Sequence, residues 1–255
     1  MQLNDLLSIQ LYSLRLMGDL DGMLNAVQAA GITQVETFGP QFDKPGETRA
    51  ALDARGLRAT TGHIGIIALR DRFAEIVAAS KQLGIAQLYM PAPPPGEREK
   101  DAAGWTALGA ELGSLSNKLA NEGIALGYHN HHWEMDAKDG DRIGLDCLFA
   151  GAAGSKLSWE VDVAWVVRGN TAPKPLMTKY RHLITALHVK DIAPEGQCLD
   201  EDGWADVGHG VLDWKDLWAF GLGLGARWMV LEHDKPNDAG RFARRSADYL
   251  RATVA

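Results

Sequence analysis

Four glycines, Gly31, Gly56, Gly84 and Gly123, each stand a few residues ahead of a short apolar or β-branched run. A glycine closing a helix can turn left-handed without a Cβ clash, so their recurrence marks a helix–loop–strand period. Eight such runs are found, at 7–14, 34–38, 58–64, 87–90, 125–131, 157–163, 184–190 and 228–233. Helical patterns fall between them, including 19–30 closed by Gly31, 74–83 closed by Gly84, and 102–121 followed by Gly123. Strand–helix alternation along a whole chain means a parallel sheet covered by helices. Eight repeats in 255 residues fit one α/β domain over residues 1–255, a (β/α)8 TIM barrel. The proline-rich PAPPPGEREK at 91–100 follows strand four and reads as a βα loop rather than a linker. The segment 191–210, after strand seven, is long, acidic and carries Trp204, as a lid or wall of a substrate site would.

A formal net charge of −7, from 26 basic and 33 acidic residues, argues against a nucleic-acid surface, which needs concentrated Lys and Arg to displace counterions. Arg241, Arg244, Arg245 and Arg251 recur at helical spacing and read as a solvated helix face. Cys147 and Cys198 lie far apart with no CxxC spacing, so neither a disulfide framework nor a thiolate zinc site is expected, and a reduced, cytoplasmic setting fits. The opening MQLNDLLSIQLYSLRL lacks the basic-then-apolar order of a signal segment, and no later stretch approaches a membrane span. The expected partner is therefore a small molecule, neither nucleic acid nor membrane, with association into a homo-oligomer left open.

In such barrels the active site gathers at the carboxyl ends of the strands. The polar residues there are Gln10, Tyr12 and Arg15 on strand one, Glu36 on strand two and His63 on strand three. Strand five brings His129, Asn130, His131 and, just beyond, Glu134; strand six Glu160 and Asp162; strand seven His188 and Lys190; strand eight Glu232 and Asp234. Side chains alternate across a strand, so Ala186, His188 and Lys190 share a face, with small Ala186 suited to a barrel interior. The same parity groups Ser158, Glu160 and Asp162, and groups Val230, Glu232 and Asp234.

Taken singly, Asp162 is a helix cap and His188 a core histidine. Together, carboxylates and an imidazole concentrated at one end need a cation or one another to offset their desolvation. Hard oxygens mixed with imidazole from separate strand tips suit one divalent cation in an open, catalytic sphere. Asp162, His188 and Glu232 are three expected ligands. The fourth is His129, which faces inward with Gly127, or Glu134, which would complete a three-carboxylate set better suited to manganese or magnesium, or both bind. His131, His132 and Trp133 border the substrate.

The stretches IQLYSLR, GYHNHHWE, WEVDVAWVVRGN, LHVKD, VGHGVLDW and LEHD together resemble the sugar phosphate isomerase/epimerase family, the xylose isomerase-like TIM barrels. That resemblance, closest to members carrying YHNH, covers essentially the whole chain. It implies one divalent cation, manganese foremost, with magnesium, cobalt or zinc as alternatives, held by a Glu, Asp, His, Glu set. Asp162, His188 and Glu232 match three of those positions; at the fourth, many members have Glu where this chain has His129. In the epimerase members two metal-bound glutamates exchange a proton on opposite faces of the substrate, and of that pair only Glu232 is plain here.

Abstracting a proton beside a carbonyl requires the enediolate charge to be stabilised, which a cation on the carbonyl does directly. The expected roles follow: Glu232 or His129 as general base, His131 or Lys190 as the group that donates or neutralises opposite, Gln10, Tyr12 and His63 on sugar hydroxyls, and Trp133 and Trp204 as aromatic walls. The expected activity is isomerisation or epimerisation of a sugar or keto-sugar. Elimination of water from an inosose or 3-keto-glycoside, and passive carbohydrate binding, are the alternatives. No GxxxxGK[ST] cradle is present, which disfavours a phosphorylated substrate.

Overall fold

A computed structural model describes residues 3–98 and 100–254. Eight parallel strands close into a barrel: β1 (Leu7–Gln10), β2 (Gln34–Thr37), β3 (Arg58–His63), β4 (Gln87–Met90), β5 (Ala125–His129), β6 (Ser158–Asp162), β7 (Ile184–Val189) and β8 (Trp228–Leu231). Each hydrogen-bonds to its sequence neighbours, and β8 closes on β1. The helices that follow them are α1 (Leu20–Ala29), α2 (Pro45–Asp53), α3 (Phe73–Leu83), α4 (Ala102–Asn121), α5 (Gly144–Gly151), α6 (Pro173–Lys179), α7 (Trp214–Gly223) and α8 (Ala239–Thr253). Gly31, Gly56, Gly84 and Gly123 all have φ between 64° and 79°, the left-handed turn their spacing implies. Among the described residues no helix is long and apolar enough to cross a membrane.

Several strands end earlier than the apolar runs, for a local reason. Past Gln10 the chain turns into a 3-10 helix, Leu11–Met17, whose start is capped by the Gln10 side chain accepting from the Tyr12 N–H at 3.1 Å. Past His129 the Asn130 side chain takes over the ladder to β6, donating to the Asp162 carbonyl and accepting from the Asp162 N–H, both at 3.1 Å. The Trp159 indole also donates to that amide oxygen at 3.0 Å, so the end of β5 is locked to β6.

The strand residues Leu7, Ile9, Val35, Leu88, Leu126, Trp159, Leu187 and Met229 are buried in the core formed with the helices. The opposite parity carries polar and small residues, so the barrel interior is polar and the apolar core lies outside it. Helices α4 and α5 pack backbone to backbone: a Cβ on Gly109 would overlap the Leu148 carbonyl, and one on Gly151 the Thr106 carbonyl.

The 191–210 segment is a built wall. Asp191–Ile192 pairs antiparallel with Trp204–Ala205. The buried Asp191 carboxylate accepts from the backbone N–H groups of Ile192, Gly208, Gly210 and Leu212 at 2.9–3.2 Å, which fixes both ends of the segment. The basic face of α8 is less solvated than its spacing implies. Arg241 and Arg245 reach Asp206 at 3.0 and 2.9 Å, and Arg241 reaches Glu201 at 2.7 Å, pinning the wall to the helix.

Candidate metal centre

Strand register decides which side chains meet. Asp162 lies beside His188, His188 beside Val230, and His129 beside Glu160, while Glu232 follows directly on β8. Ligand atoms of His129, Asp162, His188 and Glu232 consequently lie within 4.8 Å of one another, all four residues buried. This group could hold a divalent cation.

Below it, a single carboxylate oxygen is surrounded by imidazoles. Glu160 Oε2 lies 2.7 Å from His63 Nε2, 3.1 Å from His129 Nδ1 and 3.1 Å from His188 Nε2. Glu36 reinforces this layer at 3.0 Å from His63 Nε2 and 2.8 Å from His188 Nε2, and is itself held by the Gln10 amide at 2.8 Å. With those nitrogens donating downward, the other nitrogens of two rings face the mouth: His188 Nδ1 lies 2.9 Å from Glu232, and His129 Nε2 lies 4.0 Å from Asp162. His63, His129, Glu160 and His188 also lie close enough to form a second cation group. That group would compete with the first for the same two rings.

Lys190 is fully buried among the mouth carboxylates, its Nζ 2.8 Å from Glu232, 3.2 Å from Asp162 and 2.5 Å from Asp234. Burial pulls Asp162 up to about 6, against the opposing pull of Lys190. For Glu232 burial acts upward too, but the Lys190 and His188 charges outweigh it and hold the carboxylate well below its usual range. In the layer beneath, burial disfavours the charged ring of His63, yet Glu36 and Glu160 prevail and raise it to about 10. Burial, with neighbouring positive charges, pushes His129 and His131 well below the ordinary histidine value, so both rings are neutral.

The group opens into a cavity of about 330 Å³ whose polar side carries His63, His129, His131, Glu232 and Asp234. Tyr12, Phe38, Pro91 and Ala92 form its apolar side. A larger cavity of about 610 Å³ sits beside Leu157 and Leu183, ahead of β6 and β7 and so at the opposite end of the barrel from this group.

No family profile matches the chain, and no curated protein sequence is significantly similar to it. Solved structures are similar throughout. A sugar phosphate isomerase/epimerase from Parabacteroides distasonis superposes with a TM-score of 0.80 at 20% identity, over 98% of this chain and 95% of that one. A 3-keto-D-glucoside 4-epimerase from E. coli gives 0.70 at 16% identity over 96% and 98%. A probable 3-DHS dehydratase of petrobactin synthesis from Bacillus anthracis gives 0.74 at 11% identity over 96% and 98%. The fold is that of the xylose isomerase-like TIM barrels.

Within this barrel the remaining expected site residues fall into three places. Tyr12 and His63 line the cavity, whereas Gln10 is committed beneath it, to Glu36 and the Tyr12 backbone. Trp133 and Trp204 stand behind the cavity rather than in it. Trp133 stacks on His131 with centroids 4.5 Å apart, and the fully buried Trp204 packs edge-on against Trp165 at 4.7 Å.

Glu134 lies apart from the metal group. One carboxylate oxygen accepts from the Tyr128 hydroxyl and the other from the His131 N–H at 3.0 Å, so it ties the chain beyond β5 together. Glu36, Glu160 and Asp234 carry parts of the site for which inward parity at a strand end was the only sequence signal.

Burial raises Glu134 from 4.5 to about 7. Between those values the folded protein keeps a proton that the unfolded chain has lost. The associated stability is therefore full below about 4.5 and lost as pH rises through about 7. Glu134→Gln removes this titration. Wild-type stability relative to the variant is expected to fall by roughly 3 kcal/mol between acid and mildly alkaline pH. Urea unfolding of both proteins across that range is the check, and parallel profiles would contradict the shift.

Proposed function

We propose that this barrel is a divalent-metal-dependent isomerase or epimerase of a sugar or keto-sugar, with His129, Asp162, His188 and Glu232 as the metal ligands. The convergence of those four buried groups at the floor of an open cavity carries the proposal. The donor set fits the ion. Two carboxylates and two imidazoles offer one ligand atom each, and His188 would give up its Nδ1 proton to the ion. Mixed carboxylate and imidazole donors accommodate manganese first, and magnesium, cobalt or zinc as well. Bound there, the cation would polarise a substrate carbonyl and offset the charge of the enediolate.

The chain's own groups supply the rest. Glu232, ionised beside Lys190, and His131, neutral with Nδ1 lacking a hydrogen-bond partner among the described residues, both line the cavity and are assigned the proton transfers. His129, the alternative base expected from the sequence, is committed through Nδ1 to Glu160 and through its other nitrogen to the proposed ion. Lys190 keeps Glu232 charged, and Tyr12 and His63 meet substrate hydroxyls. Elimination of water is the second activity. It is favoured by neutral His131 beside the metal group, which can take the proton from carbon and, then charged, deliver it to a departing hydroxyl.

Glu160 orients both imidazole ligands and sets which nitrogen each presents upward. Glu160→Ala is expected to weaken manganese binding about 10–100-fold, and Glu160→Gln less, because its amide oxygen still accepts. Titration calorimetry with manganese would measure both, and unchanged affinity in Glu160→Ala would remove this role. The function itself is tested by incubating the protein with manganese and a panel of keto-sugars and inososes in D2O. Deuterium entering one carbon, read by mass spectrometry, is the expected result, and a net loss of water instead would assign elimination. No stoichiometric metal and no exchange on any sugar would leave passive carbohydrate binding as the better account.

A further inference from the structure

Beside the metal cavity lies a second one, of about 300 Å³, lined by Ile66, Ile67, Pro93, Pro94, Pro95 and Arg98. The two share Gly65 and Ala92 in their linings, so they adjoin. The metal cavity alone, at about 330 Å³, is at the small end of ligand sites, while the adjoining pair together reaches well into that range.

The chemistry of the two halves differs. The first carries imidazoles and carboxylates; the second is walled by aliphatic carbon, with Ile67 still 55% exposed. Three consecutive prolines stiffen that wall, because each ring fixes φ. Arg98 closes it, its Nε donating to the Pro93 carbonyl at 3.2 Å and its guanidinium lying 4.6 Å from the Trp133 ring centroid.

Gly65 stands at the junction. Its backbone is ordinary extended chain, φ −69° and ψ 150°, which any residue adopts. A Cβ built there would meet nothing within 4 Å. Neither backbone strain nor packing demands glycine at this point; a side chain there would enter the open space where the two cavities adjoin.

We propose that the Ile67–Pro94 cavity is a binding subsite for the aglycone of a glycoside substrate, one that lays a flat apolar ring against this wall while its sugar occupies the metal cavity. The assignment rests on the carbohydrate reading of the barrel mouth and narrows it from free sugars to glycosides. The apolar wall would bind the ring by burial, and the shared lining sets the distance between the two halves.

Saturation-transfer NMR and calorimetry with methyl and phenyl D-glucopyranosides, both anomers of each, test the subsite without requiring turnover. The phenyl glycoside of the accepted anomer is expected to bind about tenfold more tightly than its methyl counterpart, the effect of burying one ring face. Gly65→Phe, which fills the junction, and Ile67→Asp, which places a charge on the exposed wall, should each bring that ratio close to one. Ile67→Asp changes an exposed position and keeps the test decisive if the bulky variant fails to fold. Equal binding of phenyl and methyl glycosides, or a preference that survives both substitutions, would overturn the subsite while leaving the metal proposal intact. If none of the glycosides binds, the subsite falls, while the carbohydrate reading stands or falls by the deuterium-exchange test.

Discussion

Replacing His188 with alanine is expected to strip the divalent cation from the protein and to lower turnover at least about a thousandfold, the scale of losing a Lewis acid worth several kcal/mol. His188 is fully buried and uses both ring nitrogens, Nδ1 toward Glu232 at 2.9 Å and Nε2 toward Glu36 and Glu160 at 2.8 and 3.1 Å. The substitution removes one of the four proposed ligands and leaves three buried carboxylates without that partner. Stability at neutral pH should fall by about 3–5 kcal/mol. The orphaned carboxylates regain neutrality by taking protons, so that loss should shrink toward acid pH. Elemental analysis of the purified variant measures the metal, and pH-dependent unfolding separates ligand loss from misfolding. Full activity with no bound metal would end the assignment of this centre.

The second large effect is expected at Lys190. Its ammonium is buried against Asp162, Glu232 and Asp234, with the Trp204 and Trp165 rings 4.6 and 5.0 Å away, and its backbone carbonyl accepts from the Trp214 indole at 3.1 Å. Burial alone would favour losing the proton, but the three carboxylates outweigh it and keep the group charged. Lys190→Met retains the stem and deletes the charge, so the metal-free variant should be destabilised by about 3–5 kcal/mol. Because the same carboxylates face the proposed ion, manganese should restore part of the loss. The manganese-induced rise in melting temperature should then be larger in Lys190→Met than in the wild type. Calorimetric melting of both proteins, with and without the ion, reads this directly. An equal or smaller rise in the variant would mean that Lys190 and the ion do not share these groups.

Parity along a strand is a local property, and it sufficed to set Asp162, His188 and Glu232 on the inner face, as eight apolar runs and four helix-closing glycines sufficed to mark eight βα units. The termini of the strands were less legible. Asn130 ends β5 by bonding the Asp162 backbone 32 residues away, a partner no local pattern reveals. Glu134 and His129 could not be separated along the chain either. Five residues of loop permit either to reach the mouth, and only the packing of Tyr128 and the His131 N–H against the Glu134 carboxylate turns it elsewhere.

The same holds for the layer beneath the mouth. Glu36, His63 and Glu160 come from three different strands, and nothing in the run of residues around any of them reveals that one carboxylate oxygen will sit among three imidazoles. Alternation and period come from forces between near neighbours, which the order of residues encodes directly. The pairing of His188 with Glu36 across 152 positions depends on closure of the barrel, and it exists only once every strand has taken its place.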